Sequence, residues 1–319
     1  MEILKRIAAT ALVCGAAGCE FLREPTFIDP PDDLLQVHSV LHGGADTVKV
    51  LVSRSGVSGS QSVVTLVSGA RVRIAGGGAE VTLREAPAGF SGCVNRFDPM
   101  GPNTGEPVMG PGCYAAVLPG GVRPGERYLL TVELTDGTRV TGETVVPTLP
   151  EIVRPTERER LLIRRLGDGT IGRLDSLLVR WRIGPGLAAS FPIGQGGTVY
   201  RGGHPVTGGE CQVVLFGRDY YVGAPARGRI APDDSTRVEV QVGGCRTRTA
   251  TSATALRPDS LDAVFMIAAQ DSASARYAHM ESDAGIRKGA GAQGLRGAYG
   301  LFGSRSTGTR RVRLVFTTP

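Results

Sequence analysis

Apolar and polar residues alternate along most of this chain. In 47–53, Val48, Val50 and Val52 fall on one side and Lys49 on the other. In 70–74, Ala70, Val72 and Ile74 oppose Arg71 and Arg73. Tyr128, Leu130, Val132 and Leu134 share a parity, as do Leu177, Val179, Trp181 and Ile183. So do Val238, Val240 and Val242, and finally Val312, Leu314 and Phe316. An extended backbone sends successive side chains to opposite faces, whereas a helix face needs a period near 3.6. The chain is thereby committed to strands buried on one side.

Turn signals punctuate these runs: Gly43-Gly44, Gly76-Gly77-Gly78, Pro124-Gly125 and Asp136-Gly137. Asp-Gly between two alternating runs is a strong hairpin signal. With 46 Gly and 20 Pro in 319 residues, the composition suits many short strands. About seven strands before residue 148 suit an immunoglobulin-like sandwich. Pro124-Gly125-Glu126-Arg127-Tyr128 is similar to a tyrosine corner, in which the Tyr128 hydroxyl bonds back to upstream backbone. Pro147, Pro150 and Pro155 mark a linker. The expected fold is all-β, with two β-sandwich-like domains in series, the first immunoglobulin-like and the second carrying one short helix. The boundaries are 34–148, a linker at 149–159, and 160–319. The helix is expected at 272–284, with Asp271 as N-cap and Gly285 after it. Tyr277, Met280 and Ala284 would form its apolar face.

The first residues read as an export signal. Lys5 and Arg6 precede an apolar run from Ile7 to Val13, too short for the roughly 20 residues that span a bilayer. Ala16-Ala17-Gly18-Cys19 resembles the lipobox of bacterial lipoproteins. That resemblance implies cleavage after residue 18 and lipidation of Cys19, with 19–33 as a tether. Glu20, in place of the Asp of inner-membrane retention, points to the outer membrane, with either face open. Four cysteines remain beyond Cys19, and an even number in an exported chain implies disulfides. Cys93–Cys113 and Cys211–Cys245 keep each pair within one expected domain.

The order of lipobox, Pro-rich tether, "LLQVHSVLHGGADTVKVLVSRS", "SGARVRI", "PGERYLLTVELTDGTRVTGETVVP" and a terminal "GAYGLFGS" resembles a bacterial lipoprotein family, the domain of unknown function numbered 4249. The resemblance implies no catalytic residues. It does imply an accessory role at the envelope, beside TonB-dependent outer-membrane transporters.

The candidate chemistry is sparse. His38 and His42 share a parity, but no further ligands accompany them, so no metal is expected and both are read as solvent-facing. The run 289–294 fits GxGxxG, yet a helix precedes it and a strand follows, the reverse of a phosphate-binding loop. Asp168-Gly169 and Asp175 suit a hairpin turn better than calcium. Of the adjacent Tyr220 and Tyr221, one would face outward. Tyr128, Trp181, Tyr299 and Phe302 are expected to be structural. The net charge of +6 comes almost wholly from Arg alternating with apolar residues along strands, so no nucleic-acid partner is expected. No cofactor is expected either. The resulting expectation is a non-enzymatic, lipid-anchored binding or accessory protein of the outer membrane, with its small-molecule ligand unknown. The alternatives are an envelope hydrolase acting on glycan or peptide, and an adhesive or structural surface module.

Overall fold

The computed structural model describes residues 34–58, 61–86, 93–94, 107–108, 111–166, 171–184, 188–189, 193–217, 233–248, 253–277 and 292–317. Among the described residues the fold is all-β with one short helix. Residues 33–319 form one compact unit.

The first core lies between two layers. One layer contains β1 (Leu34–His42), β2 (Thr47–Ser58) and β3 (Gln61–Leu66). The other contains β4 (Arg71–Gly76) and β5 (Ala79–Glu85). A further strand, β6 (Cys113–Val117), pairs with both β2 and β5 and so joins the layers. Next come β7 (Arg127–Glu133) and β8 (Arg139–Val145), a hairpin in the second layer. Its turn is Asp136-Gly137: Gly137 has φ +85°, and the Asp136 carboxylate accepts the Thr138 N–H at 2.8 Å. Val50, Val52, Val72, Ile74, Leu130 and Val132 meet between the layers. Full burial of each such side chain contributes about 1.5–3 kcal/mol relative to leaving it exposed.

A second core follows. Its wall is built from β9 (Glu151–Arg154), β10 (Glu159–Leu166), β11 (Ile171–Arg182), β12 (Ile193–Arg201), β13 (Gly209–Gly217), β14 (Asp233–Arg248) and β15 (Ser260–Gln270). Glu151–Arg154 falls inside the stretch expected as a linker. It pairs with β11 and places Ile152 opposite Trp181 in the core. From β13 the wall runs through β14, β11 and β10 to the last strand, then to β15 and β12. The two ends of this curl approach each other at Gly196, where a Cβ would collide with the Cys211 carbonyl. Cys211 and Cys245 are register partners on β13 and β14, joined by a disulfide.

The last strand, β16 (Tyr299–Thr317), serves both cores. Over 299–305 it runs parallel to β1, and over 312–317 parallel to β10. Its other edge pairs antiparallel with β15. Phe302 enters the first core together with Leu295 and Ala298, whereas Val312 and Leu314 enter the second.

The helix, α1, is described over 272–277. It lies over β1 and β16, where Ala273, Tyr277, Leu301 and Val40 form a small cluster. Both faces of β16 are therefore covered at Leu301 and Phe302.

Candidate functional site

A cleft follows β8 where the two cores meet. Two adjoining hollows, about 490 and 600 Å³, share Glu143 and Gly294. Leu129, Thr141 and Arg296 line the first. Val145, Gly184, Ser272 and Arg276 line the second, with Thr144 and Asp271 at its floor.

The floor is a buried polar clasp. Alternation along β8 turns Val140, Gly142 and Thr144 inward, so a hydroxyl occupies a core position. Thr144 donates to one Asp271 oxygen at 2.5 Å. The other Asp271 oxygen accepts the Ser274 N–H at 2.8 Å, capping α1 at the expected residue. The Ser304 hydroxyl lies 2.7 Å from that of Thr144 and 3.0 Å from the Val145 carbonyl it donates to. Ser306 donates to the Pro147 carbonyl at 2.6 Å. Gly303 permits this closeness, because a Cβ there would collide with the Ser274 hydroxyl. Thr144 is 4 % exposed and Ser304 0 %, so the network is almost wholly withdrawn from solvent. The rim carries the chemistry open to a ligand. Glu143 pairs with Arg127 at 3.1 Å, and Arg276 donates to the Gln293 side chain at 2.9 Å.

The two histidines have different surroundings. His38, expected to face solvent, instead meets the Tyr277 ring edge-on at 5.8 Å, because α1 covers that face of β1. Loss of solvation pushes its pKa down to about 4. His42 accepts the Arg305 Nε–H at 3.1 Å. Desolvation, Arg305 and Lys49 push its pKa down to about 4 as well. Among the described residues no group of three His, Cys, Asp or Glu could hold a metal ion.

The residues read as structural sit as follows. The Tyr128 hydroxyl accepts the Arg123 N–H at 2.8 Å. Trp181 is in the second core, Phe302 in the first, and Tyr299 is partly exposed beside Gln36. Cys113 is disulfide-bonded and fully buried. The expectations at Cys19 and its tether, at Asp168, at Tyr220 and Tyr221, and at 289–291 lie outside the described residues. So do the side chains of Cys93 and Asp175, and the helix beyond 277 with Met280 and Ala284. Thr144, Ser304 and the rim residues Glu143, Arg276 and Arg296 were not singled out from the sequence. A Thr at an inward parity of β8 was the signal for the first, and the closing Ser of "GAYGLFGS" for the second.

These features define a β protein whose two cores share one strand and meet at a cleft with a sealed polar floor. Residues 23–166 match the model of the family described as Domain of unknown function (DUF4249), and over that stretch the chain resembles this family. The match ends before 297–304, the strand segment that completes the first core. No curated protein matches the chain. Among the described residues no helix is long and apolar enough to cross a membrane.

Proposed function

We propose that this chain is a non-enzymatic binding or accessory protein of the cell envelope, anchored to the outer membrane through acylated Cys19. The observation that carries the reading is the clasp under the cleft. The Thr144 hydroxyl is spent on the Asp271 carboxylate and the Ser304 hydroxyl on the Val145 carbonyl, so the floor is a fixed polar network that supports a rigid binding surface above it. The Cys211–Cys245 disulfide supports export to an oxidising compartment. The partner proposed is an outer-membrane transporter, engaged through the rim formed by Glu143, Arg276 and Arg296.

The test is photo-crosslinking from residue 276 in whole cells, followed by extraction in mild detergent. A single envelope protein captured from 276, and not from a site on the opposite layer such as Lys49, supports the reading. Capture of nothing from 276 removes it. Mass spectrometry of the mature protein tests the anchor separately: an unmodified Cys19 would end that part of the proposal.

A further inference from the structure

Three arginine pairs stand directly opposite one another in the wall of the second core. Arg160 on β10 is the register partner of Arg313 on β16. Arg164 on β10 faces Arg173 on β11, and Arg154 on β9 faces Arg180 on β11. Register partners share a face, and here it is the outer one, since Leu161, Ile163, Val179, Trp181 and Leu314 point into the core. Like charges directly opposed across strands weaken their pairing. Two of the pairs are partly offset: Glu239 lies 2.7 Å from Arg173, and Asp262 lies 2.7 Å from Arg313. Arg154, Arg160, Arg164 and Arg180 are all exposed.

The same face carries two outward leucines. Leu162, between Arg160 and Arg164, is 62 % exposed; Leu178, two residues from Arg180, is 42 % exposed. Arg237 is the register partner of Leu178 and is also exposed. A soluble polyanion would use the arginines and leave the leucines in water. A lipid headgroup layer uses both: phosphates bridge opposed guanidiniums, and the leucines enter the interfacial zone.

We infer that the outer face of β9, β10, β11 and β16 docks on a bilayer surface bearing anionic phospholipid headgroups. Opposed arginines that weaken the pairing of the isolated wall gain shared phosphates between them when it is seated. This contact is independent of any acyl chain on Cys19, and it orients the second core against the membrane.

The experiment uses the full chain with Cys19→Ser, so that no acyl group holds it to lipid. Co-sedimentation is measured with vesicles of phosphatidylcholine alone and of phosphatidylcholine with phosphatidylglycerol. Binding is expected only to the anionic vesicles and should weaken as salt rises. Arg160→Glu with Arg180→Glu should lower it at least several-fold. Arg71→Glu with Arg139→Glu, an equal charge change on the first core, should leave it unchanged. Arg160→Gln with Arg180→Gln, which removes charge without reversing it, should move binding in the same direction. Leu162→Asn should weaken binding at constant charge. Equal binding by parent and by both Arg160/Arg180 variants would overturn the inference. So would binding to heparin or nucleic acid without binding to anionic vesicles.

Discussion

The Tyr128 hydroxyl closes the chain back on itself across five residues, taking the Arg123 N–H at 2.8 Å. Its ring is fully buried beneath Gly76 and Gly77. Tyr128→Phe removes this partly buried hydrogen bond and should cost about 0.5–1.5 kcal/mol. A lower urea midpoint with unchanged slope is the expected result, and an unchanged midpoint would show that the corner contributes nothing. His38 allows a second test at this scale. Its pKa is lowered from 6.5 to about 4, so between these values the unfolded chain binds a proton that the folded chain refuses. Stability should therefore rise with pH through this window and be lost as pH falls from about 6.5 towards 4. The slope from this one group is at most about 1.4 kcal/mol per pH unit. His38→Gln should flatten that part of the stability profile; a profile as steep as the parent's would assign the effect elsewhere.

At the scale of elements, α1 has too few described turns, 272–277, to hold itself, since isolated helices under about 12–15 residues are marginal in water. Asp271 fixes it from two directions, capping its first turn and tying it to β8 through Thr144. Asp271→Ala removes both links. The loss should be about 2.5–4 kcal/mol, a cap of roughly 1 plus a charged hydrogen bond of about 1.5–3. Hydrogen exchange should show 272–277 exposed, and protection equal to the parent's would sink the assignment. The strands and the cap were legible in the sequence because they are local: alternation needs two neighbours, and a cap needs three. Asp271 was therefore placed from its own surroundings. The rest of the clasp was not, because Thr144 and Ser304 are 160 residues apart and meet only through strand pairing. Likewise, nothing local in Val312 or Leu314 tells that their strand also feeds Phe302 into another core. The opposed arginines were read as a solvated alternation, since register, which alternation does not contain, is what sets them face to face.

For the molecule as a whole, the question is whether two cores mean two folding units. The expected division near 149–159 separates most residues of the first core from those of the second. Yet β16 crosses it, and the first core is incomplete without Leu295, Ala298 and Phe302. A fragment ending at residue 148 would expose the groove those side chains fill. The disulfide acts within the second core alone, closing a loop of 34 residues, worth about 3–4 kcal/mol in the chain-entropy model. Cooperativity can be read directly, because the chain has one tryptophan, Trp181, and it reports the second core. Phe302→Ala cuts a cavity in the first core at a cost of about 3–5 kcal/mol. If β16 couples the cores into one unit, tryptophan fluorescence should register that loss in full, although the mutated side chain lies in the other core. Cys211→Ser with Cys245→Ser should then shift the far-ultraviolet and tryptophan transitions together. A Phe302→Ala protein whose tryptophan transition stays where the parent's is would mean that the cores unfold separately. The shared strand would then join two independent domains rather than make one.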